Sequence, residues 1–339
     1  MMLYVVILFL WASICLYLLL GGADFGAGIL ELFSNKKREK EVSSTMYRAI
    51  GPIWEANHMW LIIAIVILFV GFPKIYTTLS VYLHIPLVLM LLGIIARGTA
   101  FSFRHYDAID DQWQKIYSKI YVISSLLTPF FLGMIAAATV SRTMDTEAPD
   151  FLQAYLWSWL NPFGLSVGIF TVCICSYLAA IFIVGKSKND SEQRYFIKKS
   201  KRAMIAIVTS GLIVFITAHL SAIPLLNWVL QTFIGRISLS LASISLIFTF
   251  FAFKYKKVIT LRILAGFQII MILVAATHNH YPEIILFKNG SSLSLVDDMG
   301  SEKTIDTLAW ALLIGSVFIL PSLFYLIYSF GGSSKKNAE

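Results

Sequence analysis

Long apolar runs, separated by shorter polar segments, set the pattern of this 339-residue chain. The apolar core of a bilayer is ~30 Å thick, and a helix of about 20 apolar residues crosses it. The runs are of about that length, so each one predicts a membrane-spanning helix. Nine spans are predicted, at residues 3–32, 52–71, 75–96, 120–140, 162–184, 203–223, 237–253, 261–277 and 305–330.

Composition supports a polytopic membrane protein, because 58% of the residues are hydrophobic and only 14% are charged. The expected fold is all-α, in a single integral membrane domain over residues 1–339. The spans in residues 1–140 are expected to form one four-helix bundle and those in 162–277 a second, with 305–330 as an extra, peripheral helix. The first run lacks a preceding Lys or Arg and is too long for a signal peptide, so we expect it to stay in the mature chain.

Basic residues are distributed unevenly between the two sides of the predicted membrane protein. If the N-terminus is outside, 22 of the 27 Lys and Arg residues fall in cytoplasmic segments. This bias follows the positive-inside rule, and it predicts an external N-terminus and a cytoplasmic C-terminus. It also explains the net charge of +8 without a nucleic-acid partner. Arg97 and Arg104 are counted as cytoplasmic loop residues, and the exceptions outside are Lys74, Arg142, Arg236, Lys288 and Lys303.

Asp24 and Glu55 are the two acidic residues that we single out within the predicted spans, where a charge is costly and is a candidate for function. With the topology above, Asp24 is ~12 Å and Glu55 ~5 Å from the cytoplasmic end of its helix. Carboxylates at such staggered depths could accept protons in turn from the cytoplasm. Structural alternatives exist for both. Asp24 lies in "GGADFGAG", typical of a helix-packing seam, and Glu55 follows Gly51, at a helix start where an acid favours the helix dipole.

The histidines raise two cofactor hypotheses. Glu55 and His58 have the E-x-x-H spacing of di-iron ligands, but no second such pair accompanies them, so we interpret His58 as a polar neighbour of Glu55. His84, His219 and His278 lie in or near spans, where two imidazoles could bind one haem. The alternative is that each hydrogen-bonds a neighbouring helix.

Several short segments together resemble one family, the second subunit of cytochrome bd-type quinol oxidases. The most recognisable is "PIWEANHMWLI", in which an acid and an asparagine lie between two tryptophans. "GADFGAG", "RGTAFSFR" and "NPFG" resemble the first-helix, third-span and fifth-span motifs of that family. The likeness is firm to about Gly168 and rests afterwards on hydropathy and on "HYP" at 280–282.

The resemblance implies a heterodimer whose larger subunit I carries haems b and d and the site of quinol oxidation. This chain would then bind no catalytic haem, although a structural quinone and a small single-span third subunit are compatible with the family. By resemblance, Glu55 takes the position of the acid in the cytoplasmic proton pathway, and Asp24 matches the second of two acids in the first helix. The sequence departs from the family at Gly21 and Ser102, where relatives often have acids.

Three functions are therefore considered. The first is a non-haem subunit of a terminal oxidase of the bacterial inner membrane, which oxidises quinol, reduces oxygen to water and receives protons through Glu55 and Asp24. The second is a proton-coupled secondary transporter that uses the same two carboxylates. The third is a haem protein that uses His84, His219 or His278.

Overall fold

The computed structural model describes residues 1–34, 39–51, 54–106, 111–187 and 189–331. Nearly all regular structure in these residues is helical, and a single two-stranded sheet is present. The first long helix contains a π-helical turn at Tyr17–Gly21, between α1 and α2. The elements are α1 (Met2–Leu16), α2 (Gly22–Leu32), α3 (Glu39–Ile50), α4 (Trp54–Gly71), α5 (Pro73–Tyr82), α6 (His84–Tyr106), α7 (Asp111–Val140), α8 (Phe151–Tyr155), α9 (Pro162–Val184), α10 (Asp190–Leu220), α11 (Leu225–Leu230), α12 (Phe233–Lys254), α13 (Val258–Thr277), β1 (Glu283–Leu286), β2 (Ser292–Ser294) and α14 (Glu302–Gly331).

Within the described ranges, nine helices are long and apolar enough to cross a membrane, which confirms the predicted number and the helical fold class. The start of the second predicted span, at residues 52 and 53, lies outside the described residues. The spans are Met2–Leu32, Trp54–Gly71, His84–Arg104, Gln112–Val140, Pro162–Val184, Asp190–Leu220, Phe233–Lys254, Val258–Thr277 and Glu302–Leu326.

The third span differs from its predicted bounds. We expected one helix over 75–96, but α5 ends at Tyr82 and a new helix begins at His84. Leu83 leaves helical geometry, with φ −113° and ψ 22°. The proline at position 86 falls in the first turn of α6, where its missing N–H is not needed. The third membrane span therefore runs from His84 to Arg104, and Arg97 lies inside it rather than in a cytoplasmic loop.

The fifth span, α9, has the largest buried share of the nine. It packs against α2, α7, α10 and α13, and so touches helices from both predicted bundles. The last span, α14, is the least buried and packs on α1 and α4. The grouping of 1–140 and 162–277 into separate bundles stays a prediction, as does the orientation of the termini.

The "NPFG" segment is the start of α9. The Asn161 side chain accepts a hydrogen bond from the Gly164 amide at 2.8 Å, and Pro162 occupies the first turn. These are the residue types favoured at a helix N-cap and first position. The segment therefore sets where the central helix begins.

A short β-hairpin covers one end of the first helices. Ile285 pairs with Leu293, and the apolar hairpin side chains join the core formed by α1, α4, α7 and α14. Lys288 donates a hydrogen bond to Asp145 at 2.9 Å, which lowers the pKa of that carboxyl. On the predicted topology, this hairpin lies on the outer side.

Small residues let α2 approach its neighbours closely. A Cβ atom added at Gly26 would lie 1.9 Å from the carbonyl oxygen of Cys175 on α9. One added at Gly28 would lie 2.2 Å from Oγ of Ser125 on α7. The small-residue seam expected from "GGADFGAG" is therefore present, and it brings three helices together around Asp24.

This close contact predicts that Gly26→Ala destabilises the protein by about 1–3 kcal/mol, because a backbone atom of α9 must move to admit the methyl group. The measurement is the thermal unfolding midpoint of the purified protein in detergent. Gly266→Ala is the matched control, since the nearest atom to its new Cβ is 4.0 Å away. Equal midpoints for the two variants would contradict the prediction.

Candidate functional site

Asp24 forms a fully buried ion pair with Arg97. Both Nη atoms of Arg97 donate to the carboxylate, Nη1 to Oδ2 at 2.6 Å and Nη2 to Oδ1 at 2.7 Å. Nη2 also donates to the backbone carbonyl of Asp24 at 2.9 Å, and Nε donates to Oγ of Ser125 at 3.0 Å. The guanidinium lies 5.1 Å from the ring centres of both Phe25 and Tyr121. The pair is thus bidentate, neutral as a unit and enclosed by aromatic rings.

Sequence reasoning found Asp24 but missed its partner. Arg97 stands near the end of an apolar run and was assigned to a loop, yet its side chain is only 1% exposed. A buried charge needs a counter-charge, because desolvation of an unpaired ion costs several kcal/mol. The acid in the first span was itself the signal that a nearby span supplies a cation.

A second ion pair repeats the first along the same two helices. Arg104 Nη1 donates to Oε2 of Glu31 at 2.8 Å. Each member lies seven residues beyond its counterpart in the first pair, which is two helical turns and the same helix face. Tyr121 connects the two pairs, since its hydroxyl is 3.4 Å from Arg97 Nη2 and its ring is 5.4 Å from the Arg104 guanidinium. Glu31 was not singled out from the sequence, although it lies within the first predicted span.

His58 approaches Asp24 from α4. Its Nε2 lies 3.3 Å from Oδ2 of Asp24, and its side chain is 16% exposed. The ring centre of His58 lies 6.1 Å from that of Tyr17, 5.6 Å from Phe25 and 6.2 Å from Trp54. The sequence indicated a polar neighbour of Glu55, but the contact that the structure gives His58 is with the acid of the first span.

Glu55 is exposed and lies in the first turn of α4. It precedes His58 by three residues, so the two side chains are neighbours on the helix surface. The structure thus brings Asp24 and His58 into contact and leaves Glu55 one turn away, at the surface of the chain. This position is compatible both with a favourable helix-dipole interaction and with access to protons or a partner.

The three histidines of the haem hypothesis either contact protein oxygens or lie at the surface of the chain. His84 Nδ1 is 2.8 Å from the Val81 carbonyl oxygen, and His278 Nε2 is 2.6 Å from Oγ1 of Thr232. His219 is exposed at the end of α10. In the part of the chain that the structure describes, no group of three or more His, Cys, Asp and Glu side chains could hold a metal ion.

The ion pair yields a prediction about stability. Asp24→Ala should destabilise the protein by about 3–5 kcal/mol, because Arg97 would be left buried without a counter-charge. The double variant Asp24→Leu, Arg97→Met should regain much of that loss, since it removes both charges together. Thermal unfolding midpoints in detergent test this.

Asp190→Ala is the control for that experiment. It breaks the exposed pair between Asp190 and Lys256, whose atoms are 3.3 Å apart, and should change stability little. If the double variant were as unstable as Asp24→Ala alone, the compensation of buried charges would not be the cause.

Comparison with known proteins identifies the family of this chain. A family model described as cytochrome bd terminal oxidase subunit II matches residues 2–330. Cytochrome bd ubiquinol oxidase subunit 2 of Bacillus subtilis (strain 168) is 29% identical over 208 residues, which are 61% of this chain and 59% of that protein. Cytochrome bd-I ubiquinol oxidase subunit 2 of Escherichia coli (strain K12) is 24% identical over 219 residues, covering 62% of this chain and 56% of that protein. The match therefore spans less than two thirds of the length of these relatives.

The fold is shared with a solved oxidase. A chain in the structure of bd oxidase from Geobacillus thermodenitrificans superposes with a TM-score of 0.76 at 19% identity, covering 97% of this chain and 98% of that chain. The family model extends over nearly the whole sequence, including all nine spans, and confirms the resemblance noted in "PIWEANHMWLI". The chain therefore belongs to the family of cytochrome bd terminal oxidase subunit II.

Proposed function

We propose that this chain is the non-haem subunit of a bacterial respiratory oxidase that oxidises quinol and reduces oxygen to water. It would lie in the inner membrane with its N-terminus outside, stabilise the haem-bearing subunit I and help to deliver cytoplasmic protons. The observation that carries the proposal is the family match over residues 2–330. The curated relatives, which are named as ubiquinol oxidase subunits, support the same activity.

The redox centres are proposed to lie in subunit I, as haems b and d. Both ring nitrogens of His278 have protein partners, since Nε2 lies 2.6 Å from Oγ1 of Thr232 and Nδ1 lies 3.0 Å from the Val274 carbonyl oxygen. These contacts do not favour axial haem ligation by His278. A structural quinone and a small third subunit stay predictions, because the contacts described above point to neither.

A proton-delivering role follows from the chemistry of the reaction. Reduction of oxygen to water consumes protons, and in this proposal they come from the cytoplasm. Glu55 is exposed in the first turn of α4, where a carboxylate can exchange protons with water or with a partner. Asp24 contributes a negative charge to this path. It is buried, forms an ion pair with Arg97 and lies beside His58.

The alternative, a proton-coupled transporter that uses Asp24 and Glu55, receives less support. A coupling site must bind and release a proton during each transport cycle. Its carboxylate must therefore be able to exist both as the neutral acid and as the anion. Asp24 is instead clamped by two guanidinium hydrogen bonds.

The first test is biochemical isolation from bacterial membranes. Gentle purification of the chain should recover a haem-rich polytopic partner, together with quinol-dependent oxygen consumption. A colourless protein without such a partner and without oxidase activity would overturn the proposed function.

The second test concerns Glu55. In the purified complex, Glu55→Ala should lower the rate of oxygen reduction about tenfold or more, because a proton acceptor is lost, while the haem absorbance stays normal. Glu147→Ala is the control, an exposed acid on the predicted outer side. Full turnover by the Glu55→Ala complex would argue decisively against a proton role.

A further inference from the structure

Two buried polar atoms beside Asp24 have no hydrogen-bond partner among the described residues. They are Nδ1 of His58 and the hydroxyl of Tyr17. Tyr17 is only 4% exposed and is the first residue of the π-helical turn, which packs against α4. A buried polar group without a partner costs free energy, so such groups commonly mark a functional role. Here the two atoms belong to neighbouring rings, whose centres lie 6.1 Å apart.

The contact with Asp24 determines which nitrogen of His58 carries a proton. The carboxylate is held ionised by Arg97 and can only accept hydrogen bonds. The nearby Nε2 is therefore the N–H donor, at 3.3 Å. Nδ1 of the neutral ring then carries a free lone pair, which makes it a basic site that the protein itself does not use.

Charged and aromatic groups from several helices surround the His58 ring. Asp24 faces it from α2, and the rings of Tyr17, Phe25 and Trp54 surround it. Arg97 from α6 contacts the same carboxylate oxygen as His58, because its Nη1 also lies at Oδ2 of Asp24. The Tyr121 hydroxyl of α7 lies 3.4 Å from Nη2 of Arg97.

We infer that His58 carries protons one helical turn deeper than Glu55, on the path to the oxygen-reducing subunit. The proton leaves the Glu55 carboxyl, adds to the Nδ1 lone pair of His58, and later leaves from Nδ1 towards subunit I. Throughout, Nε2–H stays hydrogen-bonded to Asp24, so the acid orients and stabilises the ring and does not itself take the proton. This inference rests on the proposed function, because only proton consumption by oxygen reduction gives the path a direction.

The decisive variant is His58→Gln in the purified complex. The glutamine amide can still donate a hydrogen bond to Asp24 but cannot carry a proton between about pH 5 and 8. We expect the rate of oxygen reduction to fall about tenfold or more and the pH profile of the rate to lose its histidine-dependent limb, with normal haem absorbance. In His58→Ala, added imidazole should restore part of the rate.

The control is His219→Gln, since His219 is exposed at the end of α10. Full turnover in His58→Gln, or a lower rate with an unchanged pH profile, would overturn the inference, because either result fits a purely structural histidine. If Glu55→Ala is slow and His58→Gln is not, only this inference fails. If the purified complex shows no quinol oxidase activity, the proposed function fails with it.

Discussion

A carboxylate and a guanidinium, both fully removed from solvent, join the first and third membrane spans. Asp24 and Arg97 neutralise each other through two parallel hydrogen bonds, and two further guanidinium N–H groups donate to the Asp24 carbonyl and to Ser125. In a medium of low dielectric constant, the attraction between the two ions offsets the free-energy cost of removing each from water. The positions of α2, α6 and α7 are therefore tied to one another through this contact.

The second pair, Glu31 with Arg104, extends the same relationship by two turns. Because both acids lie on the first span and both arginines on the third, the two helices must run parallel and in one register. In a membrane protein whose successive spans alternate in direction, spans one and three are parallel in any case. The two ion pairs therefore specify the position of one helix along the axis of the other. Tyr121 lies between the arginines and belongs to both pairs.

The nine spans could be predicted from hydropathy, because the cost of exposing polar backbone to lipid leaves long apolar helices as the solution. The break at Leu83 was missed, because it is a local change of backbone geometry inside a segment that we interpreted as one continuous span. Asp24 was recognised, since a charge in an apolar run stands out. Arg97 was not, because a cation near a span end looks like an ordinary loop charge, and its partner lies 73 residues away in sequence. Side-chain pairing between helices is three-dimensional information that a hydropathy profile does not contain.

The π-helical turn at Tyr17–Gly21 divides the first span into two segments that pack into different hydrophobic cores. Val6 and Leu10 of α1 pack with α4 and α14, whereas Ala27 and Leu30 of α2 pack with α9 and its neighbours. A π turn accommodates an additional residue within the helix. Loss of one residue there would restore a regular helix but rotate everything beyond it by about 100°. Asp24 would then turn away from Arg97 and His58, so the chain length of this turn is as much a part of the site as the side chains are.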